Sequence, residues 1–263
     1  MAFVTGAAHG QRRSHAEHYA QNGADVVMTD INHNVDSVPY DLGTADELDE
    51  TASRVEDHGQ EALTIEMDVR EEAEVESAVE EAVDQFSHVD VLANNAGIES
   101  VAEMTEMNES MWDELIDTNL KGVWLTSKHV GQHFIERGDR GKIVSTSSTA
   151  GKTGVLENGH YVAAKHGLVG LTKTLALELA AHDVTVNAVA PTGVDSPMIE
   201  RIVETVGESA LTTVSDASGS MNILDEQLLP PNAISEAYLW LSSDAARYVT
   251  GTVLPVDAGM TAK

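Results

Sequence analysis

Seven apolar runs, each ending in small or acidic residues, punctuate the chain at Ala2 to Val4, Ala24 to Met28, Ala62 to Met67, Val89 to Ala93, Ile143 to Thr146, Val184 to Ala190 and Thr252 to Val256. Short apolar runs bounded by turn residues read as strands. Between them the spacing becomes helical: Val75, Val79, Val83 and Phe86 form one stripe on a segment otherwise rich in Glu. Alternation of strand and helix from end to end leaves parallel pairing through right-handed crossovers as the simplest solution. It predicts an α/β fold, a doubly wound parallel sheet of about seven strands. No Gly/Ser linker, low-complexity tract or repeat divides the 263 residues, and all six Pro fall in apparent loops or at a strand end. Residues 1–263 therefore read as a single domain. Only four residues precede Thr5, so the first strand is short for a central one, as a misplaced or trimmed start would leave it.

Charge narrows the partners. Asp and Glu number 44 against 15 Lys and Arg, a formal charge of −29. That field repels nucleic acid and anionic lipid, and no basic patch offsets it, so neither a nucleic-acid nor a membrane partner is expected. Sixteen carboxylates between residues 44 and 84 read as solvated helical faces. Salt near 1 M shortens the Debye length to about 3 Å and would quench this self-repulsion, so we read the acidity as adaptation to molar salt; an acidic face that merely aids solubility is the alternative. The absence of Cys excludes disulfides, thiolate chemistry and Cys-ligated zinc. Neither an export signal nor a spanning segment is recognisable, and a cytoplasmic protein is expected.

Thr5-Gly6-Ala7-Ala8-His9-Gly10-Gln11-Arg12 follows the first strand and opens a helix. Such a turn offers free backbone N–H groups and partial positive charge to a pyrophosphate, with Gly6 and Gly10 permitting close approach. An ordinary tight turn has the same glycines. Asp30, followed by Ile31, closes the second strand, where a carboxylate can accept both ribose hydroxyls of an adenosine and repel a 2′-phosphate. NAD is then favoured over NADP, unless Asp30 simply caps a turn. Asp68, before Val69, either meets the adenine amino group or caps the next helix.

Ser148 follows the fifth strand, and Tyr161 and Lys165 share one face of a later helix at i and i+4. An ammonium beside a phenol stabilises the phenolate and lowers its pKa toward neutrality. Tyr161 could then exchange a proton with an alcohol or carbonyl while Ser148 donates to the substrate oxygen. A plain amphipathic helix can carry the same Tyr and Lys.

The order of Thr5-Gly6-x3-Gly10, Asp68-Val69, Asn94-Asn95-Ala96-Gly97, Asn119, Ser148, Tyr161-x3-Lys165 and Asn187 to Pro191 resembles the short-chain dehydrogenase/reductase family over the whole chain. The resemblance implies a Rossmann-type NAD-binding fold and a homotetramer. It also implies that Asn119, Ser148, Tyr161 and Lys165 are the catalytic set, with Asn119 holding a water in a relay to Lys165. By the same likeness, cofactor contacts fall to Gly6, Gly10, Gln11, Arg12, Arg13, Asp30, Ile31, Asp68, Val69, Asn95, Ala96, Gly97, Tyr161 and Lys165. Further along the chain, Pro191, Thr192, Gly193, Val194, Ser196 and Met198 would serve the nicotinamide end. Details such as Gly10 to Ala16, the insertion Asp36 to Tyr40, Gly159 to Gly167 and Pro191-Thr192 resemble the carveol dehydrogenase subgroup, also called mycofactocin-associated, whose members oxidise secondary alcohols with firmly held NAD.

Arg12 departs from the pattern by standing where a third glycine normally lets helix and strand pack closely. Its guanidinium could bind the pyrophosphate, swing to solvent, or crowd the turn. Residues 198–229 are expected to cover the substrate side as a lid, with apolar residues that suit either a greasy substrate or the sheet. His129 and His133 have zinc-pair spacing but lack the intervening Glu of a hydrolytic zinc motif, and no metal is expected. The activity expected is interconversion of a secondary alcohol and a ketone. A sugar or polyol dehydrogenase and a 3-oxoacyl reductase are the enzymatic alternatives, and a nucleotide-sensing scaffold is the other class.

Overall fold

In the computed structural model, residues 1–196, 199 and 222–262 are described. The apolar runs become β1 (Ala2–Thr5), β2 (Val26–Asp30), β3 (Ala62–Glu66), β4 (Val91–Asn94), β5 (Gly141–Thr146), β6 (Val184–Pro191) and β7 (Val253–Val256). They form one seven-stranded sheet in the order β3-β2-β1-β4-β5-β6-β7, every pairing parallel. β1 is the short central strand that the sequence predicts, and Asp90 N–H donates to the Met1 carbonyl at 2.9 Å as β4 begins. Strand order reverses between β1 and β4, the crevice where ligands of such sheets bind.

Side chains alternate across each strand and so divide the core in two. Val4, Met28, Ala93 and Val144 pack beneath α1 (Gly10–Gln21), α2 (Ala45–Glu56) and α7 (Pro231–Ser242). Phe3, Val27, Leu92 and Ile143 pack on the other face against α3 (Glu72–Phe86), α5 (Gly122–Arg137) and α6 (Gly159–Leu179). The predicted stripe of α3 faces this second core, with Val75 and Val79 buried and Val83 and Phe86 packed on its edge. Thr44 and Glu47 close a capping box that starts α2.

α1 is fixed to α7 by a buried polar contact. His15 stacks on Tyr238 with centroids 4.1 Å apart, and its Nδ1 lies 2.7 Å from Ser235 Oγ. Burial draws its imidazole down to about 3, so it is neutral at physiological pH. Among the described residues, no helix is long and apolar enough to cross a membrane.

Candidate active site

The switch point opens as a groove walled by Gly6, Asp30, Asp68, Val69, Ala96 and Gly97 among others. Gly6 adopts a left-handed φ of +72°, and a Cβ there would lie 2.8 Å from Ala96 Cα, so only glycine permits this close approach. Thr5 Oγ1 locks the opposing loop by accepting from both Asn95 N and Ala96 N at 3.0 Å. Gly10 opens α1 at φ +62°. Arg13 does not reach into the groove. It spans from the Ala8 carbonyl (2.8 Å) to Thr51 Oγ1 (3.0 Å) and pairs with Glu50, bracing the turn against α2.

Arg12 does not swing away to solvent. Its guanidinium donates to the Gly97 carbonyl and forms part of the groove wall, tying α1 to the loop after β4. Asp30 is buried and accepts from Ala8 N (3.0 Å) and Ile31 N (2.9 Å). Asp68 instead receives a bidentate ion pair from Arg70, with NH2 2.6 Å from Oδ2, and accepts from Arg70 N at 2.9 Å. The carboxylate thus closes a local turn and does not cap the next helix, whose N-cap is Glu71.

Behind the groove, Gln11 Nε2 and Thr146 Oγ1 both donate to Asn95 Oδ1. The Asn95 amide nitrogen is buried without a protein partner. Asn119, fully buried, sits in a π-helical turn (Asp117–Lys121) between α4 (Glu109–Ile116) and α5. Its side chain pairs with Ile98 in both directions, accepting from N and donating to O at 2.8 Å. This pairing ties the turn to the loop after β4, and π turns of this kind recur at functional sites.

Ser148, Tyr161 and Lys165 converge where β5 ends and α6 begins. Ser148 faces the Tyr161 phenol closely enough to pull its pKa down, and its Oγ accepts from Ala150 N at 3.1 Å. Lys165 Nζ lies 5.3 Å from the Tyr161 ring centroid and donates to the Thr146 carbonyl at 2.7 Å. Burial draws the Lys165 ammonium down to about 8, with Glu99 opposing. The expectation of an acidified phenol is corrected here for the chain by itself. Burial and then the Glu99 carboxylate push the Tyr161 phenol above its ordinary value, with Ser148 and Arg12 pulling the other way.

Sequence reasoning left the roles of four residues of this cluster open, with Glu99 read only as one wall of a polar mouth that would suit a sugar. Glu99 accepts from Asn158 Nδ2, and its own backbone N–H donates to Tyr40 Oη at 2.8 Å. Thr5 and Thr146 are strand-end hydroxyls that no spacing rule singles out. Asn158, three residues before Tyr161, had no partner in sequence from which its role could be read.

At the end of β6, Gly193 O accepts from Leu229 N (2.9 Å) and Asp195 N donates to Leu229 O (3.0 Å). In that parallel bridge the backbone N–H and C=O of Val194 point to the opposite side, free of Leu229. Thr192 Oγ1 reaches Asn222 Oδ1 at 3.1 Å beside Pro191, and Ser196 Oγ accepts from Ile199 N at 3.4 Å. Met198 lies outside the described residues, as does most of 198–229. The described end of that segment is anchored where Ile223 N and Leu224 N donate to Ala258 O at 2.8 and 3.0 Å. His133 accepts from Val89 N, and His129 lies 3.4 Å from Glu72, so each has a structural partner.

A family model described as short chain dehydrogenase matches residues 1–207. A (-)-trans-carveol dehydrogenase of Rhodococcus erythropolis is 43% identical over 270 residues, covering 100% of this chain and 98% of that protein. The crystal structure of a carveol dehydrogenase from Mycobacterium avium in complex with NAD superposes with a TM-score of 0.93 at 38% identity, covering 100% of this chain and 97% of the other. A short chain dehydrogenase from Mycobacterium paratuberculosis bound to NAD gives 0.91 at 32% identity, with coverage of 100% and 97%. The matched model, the identity and the shared fold together show that the chain belongs to the short-chain dehydrogenase family.

Proposed function

We propose that this oxidoreductase uses NAD to interconvert a secondary alcohol and its ketone, with Tyr161 as the general acid/base. The convergence of Ser148, Tyr161 and Lys165 beside the Gly6 groove carries the reading. The groove fits a dinucleotide on its own chemistry: a glycine that admits no Cβ, helix α1 opening above it, and a buried carboxylate at Asp30. Gly6, Gly10 and Arg12 would serve the pyrophosphate, Asp30 the adenosine ribose, Lys165 the nicotinamide ribose and Val194 the carboxamide. The two NAD complexes among the similar structures support that assignment.

When bound in this groove, NAD would supply the hydride acceptor and a positive ring that favours the deprotonated phenol. Ser148 donates to the substrate oxygen and fixes it against Tyr161. Tyr161, held protonated by burial in the chain by itself, is ready to donate to a ketone; in the oxidative direction it takes the alcohol proton once its pKa falls. Lys165, anchored on Thr146 O, keeps a cation beside the ring. Trp124, Ile135 and Leu177, exposed on α5 and α6, serve as faces closed by neighbouring copies in a homotetramer. A screen of terpenoid alcohols, sugars and hydroxyacyl thioesters with NAD and NADP in 2 M KCl tests the reading. Turnover of secondary alcohols with NAD is expected, and strict NADP dependence or activity confined to thioesters would overturn it.

A further inference from the structure

Glu99 places a carboxylate among groups that handle a single hydroxyl, and nothing in the proposed chemistry uses it. The loop that carries it is fastened to the start of α6 by three contacts: Glu99 with Asn158, Ser100 Oγ with His160 Nε2 at 2.9 Å, and Ala102 N with Glu157 O at 2.8 Å. Tyr40 Oη, accepting from Glu99 N, fixes it from the other side. The side chain is therefore held in place, and Asn158, itself 4% exposed, engages only Oε1. Among the described residues no group donates to Oε2, and Glu99 is only half-buried, so that oxygen is open. Its contact with Asn158 holds it at the N-cap of the helix that carries Tyr161 and Lys165, and its charge reaches both.

We propose that Glu99 is a specificity-determining residue whose open carboxylate oxygen accepts a hydrogen bond from a second hydroxyl on the substrate, adjacent to the one that reacts. An alcohol with only hydrocarbon at that position would cover the carboxylate and leave it without water or a donor, which is costly. A 1,2-diol or a 2-hydroxyketone satisfies it. This rests on the oxidoreductase reading above and adds the substrate class to it: alcohols that are polar next to the carbinol carbon.

The test compares matched pairs of cyclic and open-chain secondary alcohols, with and without an adjacent hydroxyl, on the full chain with NAD in 2 M KCl. For wild type, kcat/KM for the diol is expected to exceed that of its partner by about 10- to 100-fold, the range of one charge-assisted hydrogen bond. Glu99→Ala should bring the ratio near one, chiefly through KM for the diol. Glu99→Gln, which keeps an acceptor for Asn158, should give an intermediate ratio, and melting and NAD titration of both variants show whether they are folded. An equal ratio in wild type and Glu99→Ala, or no preference in wild type, overturns the inference while leaving the oxidoreductase reading standing. Failure of every alcohol in the panel to reduce NAD overturns both.

Discussion

Replacing Lys165 by Met should make the protein more stable and less active. The ammonium is 4% exposed, and burial draws it from its ordinary 10.5 to about 8. At about 1.4 kcal/mol per pH unit, holding this charge inside the fold below pH 8 costs roughly 3 kcal/mol. Methionine occupies similar space without charge but leaves the Thr146 carbonyl without the donor it has at 2.7 Å, which returns about 1 kcal/mol. The net gain near pH 7 is about 2 kcal/mol, or roughly 4–8 °C in melting midpoint for a domain of this size. The pH dependence has a definite sign. The folded-state pKa lies below the unfolded one, so the unfolded chain binds the extra proton between pH 8 and 10.5, and wild type gains stability as pH rises through that window. The advantage of Lys165→Met should therefore be full below pH 8 and shrink toward pH 10.5. Differential scanning calorimetry of both proteins without cofactor from pH 7 to 10.5, in constant KCl, measures it. A variant that melts at or below wild type throughout, or an advantage that does not change with pH, would refute the reasoning. Stability lent to function in this way is common where an active site buries charge.

Arg12→Gly should weaken NAD binding about tenfold by isothermal titration, because the guanidinium on the Gly97 carbonyl stands where it can turn to a phosphate; tenfold tighter binding would show that it crowds the groove instead. The melting midpoint should rise from 0.1 M to 3 M KCl, since a charge of −29 is self-repelling and salt screens it; a flat or falling midpoint contradicts adaptation to salt.

The sheet was legible because strand identity rests on local apolar runs, and all seven runs became strands with ends shifted by a few residues. Ala24 shows why ends are harder: it opens the apolar run, yet β2 begins at Val26, where pairing with Ala62 of β3 starts. Tyr161, Lys165 and Ser148 were legible through order and spacing. What they bond was not, because partners came from distant segments: Lys165 with Thr146, Asn119 with Ile98, Arg12 with Gly97. Asp68 adds a local case, since sequence spacing did not show that Arg70 two residues on pairs with it. The acidity of Tyr161 was misjudged for a related reason. Helical spacing reveals the neighbouring amine but not the burial or the Glu99 carboxylate that outweigh it.

Tyr161→Phe tests the central claim most directly, because it removes one oxygen and leaves the ring that packs near Tyr40 and Ile98. With NAD binding and melting shown to match wild type, initial rates of secondary-alcohol oxidation should fall at least about 100-fold, the range expected when a general acid/base is lost. Turnover within a few-fold of wild type would show that the proton passes through another group.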